Sequence, residues 1–297
     1  MKIALGSANF GMAYGQINPA LNFDNSAIKD ILTIAAANNI EIIDTAQGYG
    51  NAEQKLGDFS PKNKAFKFVT KIPGSTLNEI DDEYCAKIEK NILKSLNRLH
   101  QDSIHAILIH QACDLTLAGY EKLIALLERL KSEKTIKKYG VSVYDQTDIE
   151  LALQRCDPGL IQVPINIFDQ RLLISGHLSK LKRLGIEIHA RSIFLQGALL
   201  SSRHQLPEFF NPIQHHFEAY ELFLESNKIT RMQACLGFIK NVKNVDHAIV
   251  GVCSSHELRQ VTECFNNLQN NSLTNFEALQ LKEELYLNPS NWMVRTA

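Results

Sequence analysis

Residues 41–71, EIIDTAQGYGNAEQKLGDFSPKNKAFKFVTK, carry a complete strand–helix–strand unit. Glu41–Thr45 is a short β-type run. Asn51 opens a short helix that ends near Gly57. Ala65–Lys71 is a second β-type run, with Phe66, Phe68 and Val69 apolar. Two short runs joined through a helix predict parallel strands, because a parallel pair needs a crossover connection.

The same alternation continues on both sides. Upstream, Lys2–Ser7 is a β-type run. Ile28, Ile31, Leu32 and Ala35 then recur at helical spacing, with Asp24, Asn25 or Ser26 placed to cap that helix. Downstream, Ile88, Ile92, Leu96 and Leu99 mark one helix face. Further β-type runs follow at Ser103–His110, Lys138–Val143, Leu160–Pro164, Glu187–Ser192 and His247–Val252. Helices are expected between and after them, near 120–131, 148–154, 172–184, 217–225, 230–240 and 256–266. Residues 193–211 look like loop, and residues 266–275 like a polar linker before a last short helix. Eight strand–helix pairs are what a closed (β/α)8 barrel requires. We expect one domain over residues 1–297, with residues 265–297 as a linker and helix packed on the barrel. The rival, an open doubly wound sheet, usually carries GxGxxG after its first strand. Gly6–Gly11, GSANFG, does not fit that pattern.

Composition narrows the class. With 31 Lys+Arg against 32 Asp+Glu, nothing in the bulk charge points to nucleic acid or an anionic membrane surface. Hydrophobic residues at 45% and charged residues at 21% are ordinary for a folded globular chain. The longest apolar runs, such as Ile34–Ala37, are far too short to span a bilayer. The sequence enters a strand-like run at once, with no h-region or small-residue cleavage site. The six cysteines are scattered without a CxxC pair, which argues against a zinc ribbon or disulfide scaffold and suits a reducing cytoplasm.

Catalytic groups of such barrels sit at the carboxyl ends of the strands. There the second run presents Asp44, the third Lys71 and the fourth His110. Tyr49 follows Asp44 in the adjoining loop. A phenol, with a pKa near 10, is a poor acid or base near neutrality, and a neighbouring ammonium lowers that value. A carboxylate keeps the ammonium charged and in place, and an imidazole can orient a substrate oxygen. The set suits proton transfer at a carbonyl or carbinol oxygen. Neither HxH nor HExxH occurs to suggest a metal. Phe10, Met12, Tyr14, Phe168, Phe194, Phe209 and Phe210 are candidate substrate walls. Phe10 and Met12 join Tyr49 and His110 as the expected substrate-binding set. Arg171 and Arg203 are either anion-binding groups or solvated surface.

Asp44–Glu53, DTAQGYGNAE, resembles the DTAxxYGxxE signature of the aldo-keto reductases. Lys71 in Val69-Thr70-Lys71 and His110 in Ile107–His110 match the family's other two catalytic positions. The resemblance extends through Leu5–Ser7, Tyr139–Ser142 and Gln162–Asn166. Arg191–Gly197, RSIFLQG, resembles a subgroup associated with bacterial sugar and polysaccharide loci. It implies a (β/α)8 barrel that binds NADP or NAD without a Rossmann domain and reduces an aldehyde or ketone, among them sugars or nucleotide-sugars. Tyr49 is then the proton donor, assisted by Lys71, Asp44 and His110. By position, Ser142 and Gln162 hold the carboxamide, and Arg191 takes the place of the aromatic residue that stacks on the nicotinamide. Ser192, Phe194, Gln196 and Gly197 line the pyrophosphate loop. Gly6, Ser7, Ala8, Asp44, Gly251 and Ser254 complete the cofactor set. NADP is the family default, yet Cys253 and Glu257 occupy places where many members carry cations for a 2′-phosphate. His256 and Arg259 are the compensating cations nearby. Two other functions share these features: a cofactor-binding redox sensor with little turnover, and an epimerase with transient oxidation. No metal is expected, and the partners expected are a small carbonyl substrate and, at most, a weakly associated second copy.

Overall fold

The computed structural model describes residues 1–15, 24–61, 66–269 and 275–292. Eight strands pair in parallel in chain order: β1 (Lys2–Gly6), β2 (Ile42–Asp44), β3 (Lys67–Ile72), β4 (Ile104–Ile109), β5 (Ile136–Ser142), β6 (Leu160–Pro164), β7 (Glu187–Arg191) and β8 (His247–Gly251). β8 pairs with β1 from Lys2↔His247 to Gly6↔Gly251 and closes the barrel. This is the (β/α)8 architecture that the alternation predicts.

The strand period of two separates two apolar layers. Ala4, Ile42, Val69, Ala106, Leu108, Leu160 and Ile249 form a small cluster of their own in the lumen. Their neighbours Ile3, Leu5, Ile43, Phe68 and Ile107 join the much larger cluster beneath the helices. The helix Asn25–Ala37 buries Ile28, Ile31, Leu32 and Ala35 and starts where the Asp24 carboxylate accepts the Ala27 N–H at 2.7 Å. Such a cap contributes about 1 kcal/mol.

Two local expectations change. The segment 172–184 is two helices, Arg171–Ile174 and His177–Arg183, because Gly176 takes φ +75° between them. Residues 193–211 contain three short 3-10 turns. Ala65 and residues 270–274 of the expected linker lie outside the described residues. In the described part of the C-terminal segment, Leu281 N–H donates to Phe168 O at 3.0 Å, and Gln170 Nε2 donates to Phe276 O at 2.7 Å. Among the described residues no helix is long and apolar enough to cross a membrane.

Candidate active site

Asp44 ends β2 and Lys71 lies one residue before the end of β3, so both side chains turn into the top of the lumen. Lys71 Nζ stands 2.6 Å from Asp44 Oδ2, with side-chain exposures of 2% and 8%. The ammonium also donates to Thr45 O at 2.9 Å, and Asp44 Oδ1 accepts Gln162 Nε2 at 2.7 Å. A buried ion pair is tolerated only when its remaining hydrogen-bonding capacity is met, as here. The carboxamide of Gln162, expected to hold a cofactor, therefore braces Asp44.

Glu53, the last residue of the DTAQGYGNAE stretch, is buried and fixes the neighbouring helix to β3. It accepts from Thr70 Oγ1 at 2.8 Å, Ser95 Oγ at 3.1 Å and Arg98 Nη1 at 3.3 Å. The loop bearing Tyr49 is clamped against the first loop without space for a methyl group. A Cβ on Gly11 would lie 1.9 Å from Tyr49 O, and one on Gly50 (φ +55°) would lie 2.2 Å from Gly11 O. Lys55 Nζ donates to Phe10 O at 2.7 Å across the same junction.

Lys71 Nζ sits 5.4 Å from the centre of the Tyr49 ring. Burial pushes the Tyr49 phenol well above its ordinary value, the Asp44 carboxylate pushes the same way, and Arg191 opposes them. The net direction is upward, opposite to the lowering expected from Lys71. Asp44 neutralises the ammonium at 2.6 Å, and loss of water around the hydroxyl outweighs any cation. Tyr49 is held protonated. Burial, then the charges of Lys71 and Arg191, bring His110 down to about 4, so its imidazole is neutral near pH 7.

Arg191 ends β7. Its Nη2 donates to Val143 O at 3.1 Å, its Cζ lies 4.4 Å from the Tyr144 ring centre, and its Nε is buried without a partner. Tyr144 was not anticipated from the sequence. The available signal was an aromatic residue two positions beyond the end of β5.

A cleft of about 400 Å³ runs from Tyr14 and Tyr49 past Arg191 to Glu257. Gly6, Ser7, Ala8, Asp44, Gln162, Arg191, Ser192, Phe194, Gln196, Gly197 and Gly251 line it with Tyr49. Its β7 loop holds three non-glycine residues in the left-handed region: Ser192 (φ 60°), Leu195 (46°) and Gln196 (50°). Backbone of this kind costs on the order of 1 kcal/mol per residue and clusters at ligand sites.

Several expected positions fall elsewhere. Ser142 is buried in register with Gln162, off the cleft. Ser254 caps the helix Ser255–Asn267 by accepting the Glu257 N–H at 3.1 Å. Phe10 is 1% exposed and belongs to the core, so it is no substrate wall, whereas Met12 is 43% exposed and off the cleft. Phe168, Phe209 and Phe210 pack among Phe217, Tyr286 and Trp292. Arg171 is paired with Asp169 and Glu284, and Arg203 with Glu218 and Glu221. Tyr14 does reach the cleft, its ring centre 6.2 Å from that of Tyr49.

Residues 2–280 match the model of the aldo/keto reductase family. The chain belongs to this family. Over 200 residues it is 30% identical to the NADH-specific methylglyoxal reductase of Escherichia coli K12, a match spanning 61% of each chain. As an aldo/keto reductase its barrel superposes on the holo form of AKR11C1 from Bacillus halodurans, with TM-score 0.74, 19% identity and coverage of 95% of this chain and 94% of that one. It is also similar to the glycerol dehydrogenase AKR11B4 from Gluconobacter oxydans, with TM-score 0.70, 19% identity and coverage of 99% and 94%. A Klebsiella pneumoniae aldo/keto reductase in complex with NADP and acetate gives TM-score 0.63 at 19% identity, covering 97% and 92%.

Proposed function

We propose that this protein reduces the carbonyl group of a small aldehyde or ketone with NADH. The observation that carries the proposal is the arrangement of Tyr49 above the Lys71–Asp44 pair at the inner end of a long cleft. The cleft suits a nicotinamide dinucleotide. Two buried polar atoms of cleft-lining residues, Arg191 Nε and Asn9 Oδ1, lack protein partners. At its inner end Asp44, Gln162 and Arg191 would surround the cofactor's reacting ring, and farther out the Ser192–Gly197 loop would hold the pyrophosphate.

When bound, a reduced nicotinamide supplies a hydride. Tyr49, kept protonated by burial, gives its proton to the carbonyl oxygen and recovers one from solvent. Asp44 holds Lys71 charged and in place, and the pair forms a fixed floor beneath the phenol. Neutral His110 orients the oxygen through a hydrogen bond.

The choice of NADH over NADPH rests on Glu257. Its Oε2 accepts the Cys253 N–H at 2.6 Å while its own N–H bonds to Ser254, so the helix start fixes a carboxylate at the outer end of the cleft. A 2′-phosphate beside that carboxylate is repelled, and neither His256 nor Arg259 lines the cleft to offset it. The family default of NADP gives way to this local charge. The Escherichia coli relative, an NADH-specific methylglyoxal reductase, supports NADH use.

A small uncharged substrate is favoured over a nucleotide-sugar, because Arg171 and Arg203 are each paired with two carboxylates and neither lines the cleft. The test is loss of NADH absorbance with a panel of small aldehydes, ketones and methylglyoxal. Tight NADH binding with no turnover across the panel would replace the reductase reading with that of a redox sensor.

A further inference from the structure

The amino-terminal end of the lumen, opposite the cleft, holds a second polar cluster that carbonyl reduction does not use. Glu187 opens β7, His189 follows two positions later, and His247 opens β8. His189 and His247 are register partners across the β7–β8 seam. Glu187 Oε1 lies 2.7 Å from His189 Nε2 and 3.5 Å from His247 Nδ1. The second carboxylate oxygen is held by Lys138 Nζ at 2.7 Å and faces His105 Nε2 at 3.2 Å. His189 is fully buried. Its Nδ1 and the Nδ1 of His247 are both buried without a hydrogen-bond partner.

From this juxtaposition we propose a zinc-class divalent metal site formed by Glu187, His189 and His247. One ligand atom from each of the three lies within 4.8 Å of the others. A tetrahedral ion with bonds of about 2.1 Å needs ligand atoms roughly 3.4 Å apart, so shifts of about 1.5 Å or less complete the set. Imidazole and carboxylate donors suit zinc and its neighbours better than calcium or magnesium, which prefer all-oxygen sites. Oε1 faces the two imidazoles, so Lys138 and His105 can stay on Oε2 as outer partners that orient the carboxylate. Side-chain exposure of 16% at both Glu187 and His247 leaves a route in from solvent. The fourth ligand is water.

The site also has a mechanical consequence. The β7–β8 ladder has two register pairs, against five for β6–β7 and five for β8–β1. A metal shared by β7 and β8 ties together a short seam of the barrel.

The experiment uses the full chain, stripped with a chelator and titrated with Zn²⁺ by calorimetry and with Co²⁺ by electronic absorption. The expected result is one equivalent bound with Kd below about 10 µM, a raised melting temperature, and a tetrahedral cobalt spectrum lacking the thiolate charge-transfer band. His247→Asn and Glu187→Gln should each weaken binding about 100-fold or more. His247→Asn changes a partly exposed residue and serves as the control for folding. The proposal is overturned by no binding to the wild-type chain, by a thiolate band assigning the metal to Cys113 or Cys253, or by unchanged affinity in a folded His247→Asn protein.

Discussion

Lys71 lies 5.4 Å from the centre of the Tyr49 ring, yet it donates its hydrogen bonds to Asp44 and Thr45. The pair therefore works as a fixed, internally neutralised unit beneath the phenol. Removing one partner strands a buried charge. Asp44→Asn and Lys71→Met should each lower unfolding free energy by about 3 kcal/mol, and the double variant by clearly less than the sum. Urea unfolding of the three proteins checks this, and simple additivity would speak against a coupled pair.

Tyr49→Phe retains the ring and the packing between Gly11 and Gly50 but removes the proton donor. Carbonyl reduction should fall by about 100-fold or more, with NADH affinity within about twofold of wild type. Steady-state kinetics and fluorescence titration of NADH separate the two. Near-normal turnover would take Tyr49 out of the proton path.

The pH dependence follows from opposite shifts. Tyr49 is raised above its ordinary value, so the reductive kcat/KM should show no basic decline between about pH 7 and 9. His110 is lowered from 6.5 to about 4. Between those values the folded chain binds fewer protons than the unfolded chain. The His110 contribution to stability is therefore complete above pH 6.5 and is lost as pH falls toward 4. Urea midpoints measured across that range should decline in the wild type and decline less in His110→Gln.

Glu257→Lys reverses the charge at the outer end of the cleft. The ratio of kcat/KM for NADPH to that for NADH should rise by about tenfold or more, mainly through KM for NADPH. An unchanged ratio would remove Glu257 from cofactor selection.

The barrel was legible because strand and helix periods alternate cleanly from Lys2 to Asn267. Asp44 and Lys71 were legible because position on a parallel strand fixes which residues reach the rim, and Tyr49 because it follows Asp44 in the adjoining loop. What the sequence left hidden depends on contacts between distant residues. Gln162 bonds to Asp44 across 118 positions, and the Arg171 partner Glu284 lies 113 positions away. The direction of the Tyr49 shift depends on burial, which no motif states. The amino-terminal cluster did leave a signal: Glu187 and His189, two apart on a strand, share one face. Its completion by His247 required the β7–β8 register.

Hydride transfer in the cleft is tested most directly with NADH deuterated at C4 of the nicotinamide and a turnover substrate from the carbonyl panel. Mass spectrometry should find the deuterium on the carbinol carbon of the alcohol, with a single face of the label transferred and product formation falling steeply in Tyr49→Phe. Alcohol formed without deuterium from either face, or at the same rate in Tyr49→Phe, would contradict reduction by NADH with Tyr49 as the acid.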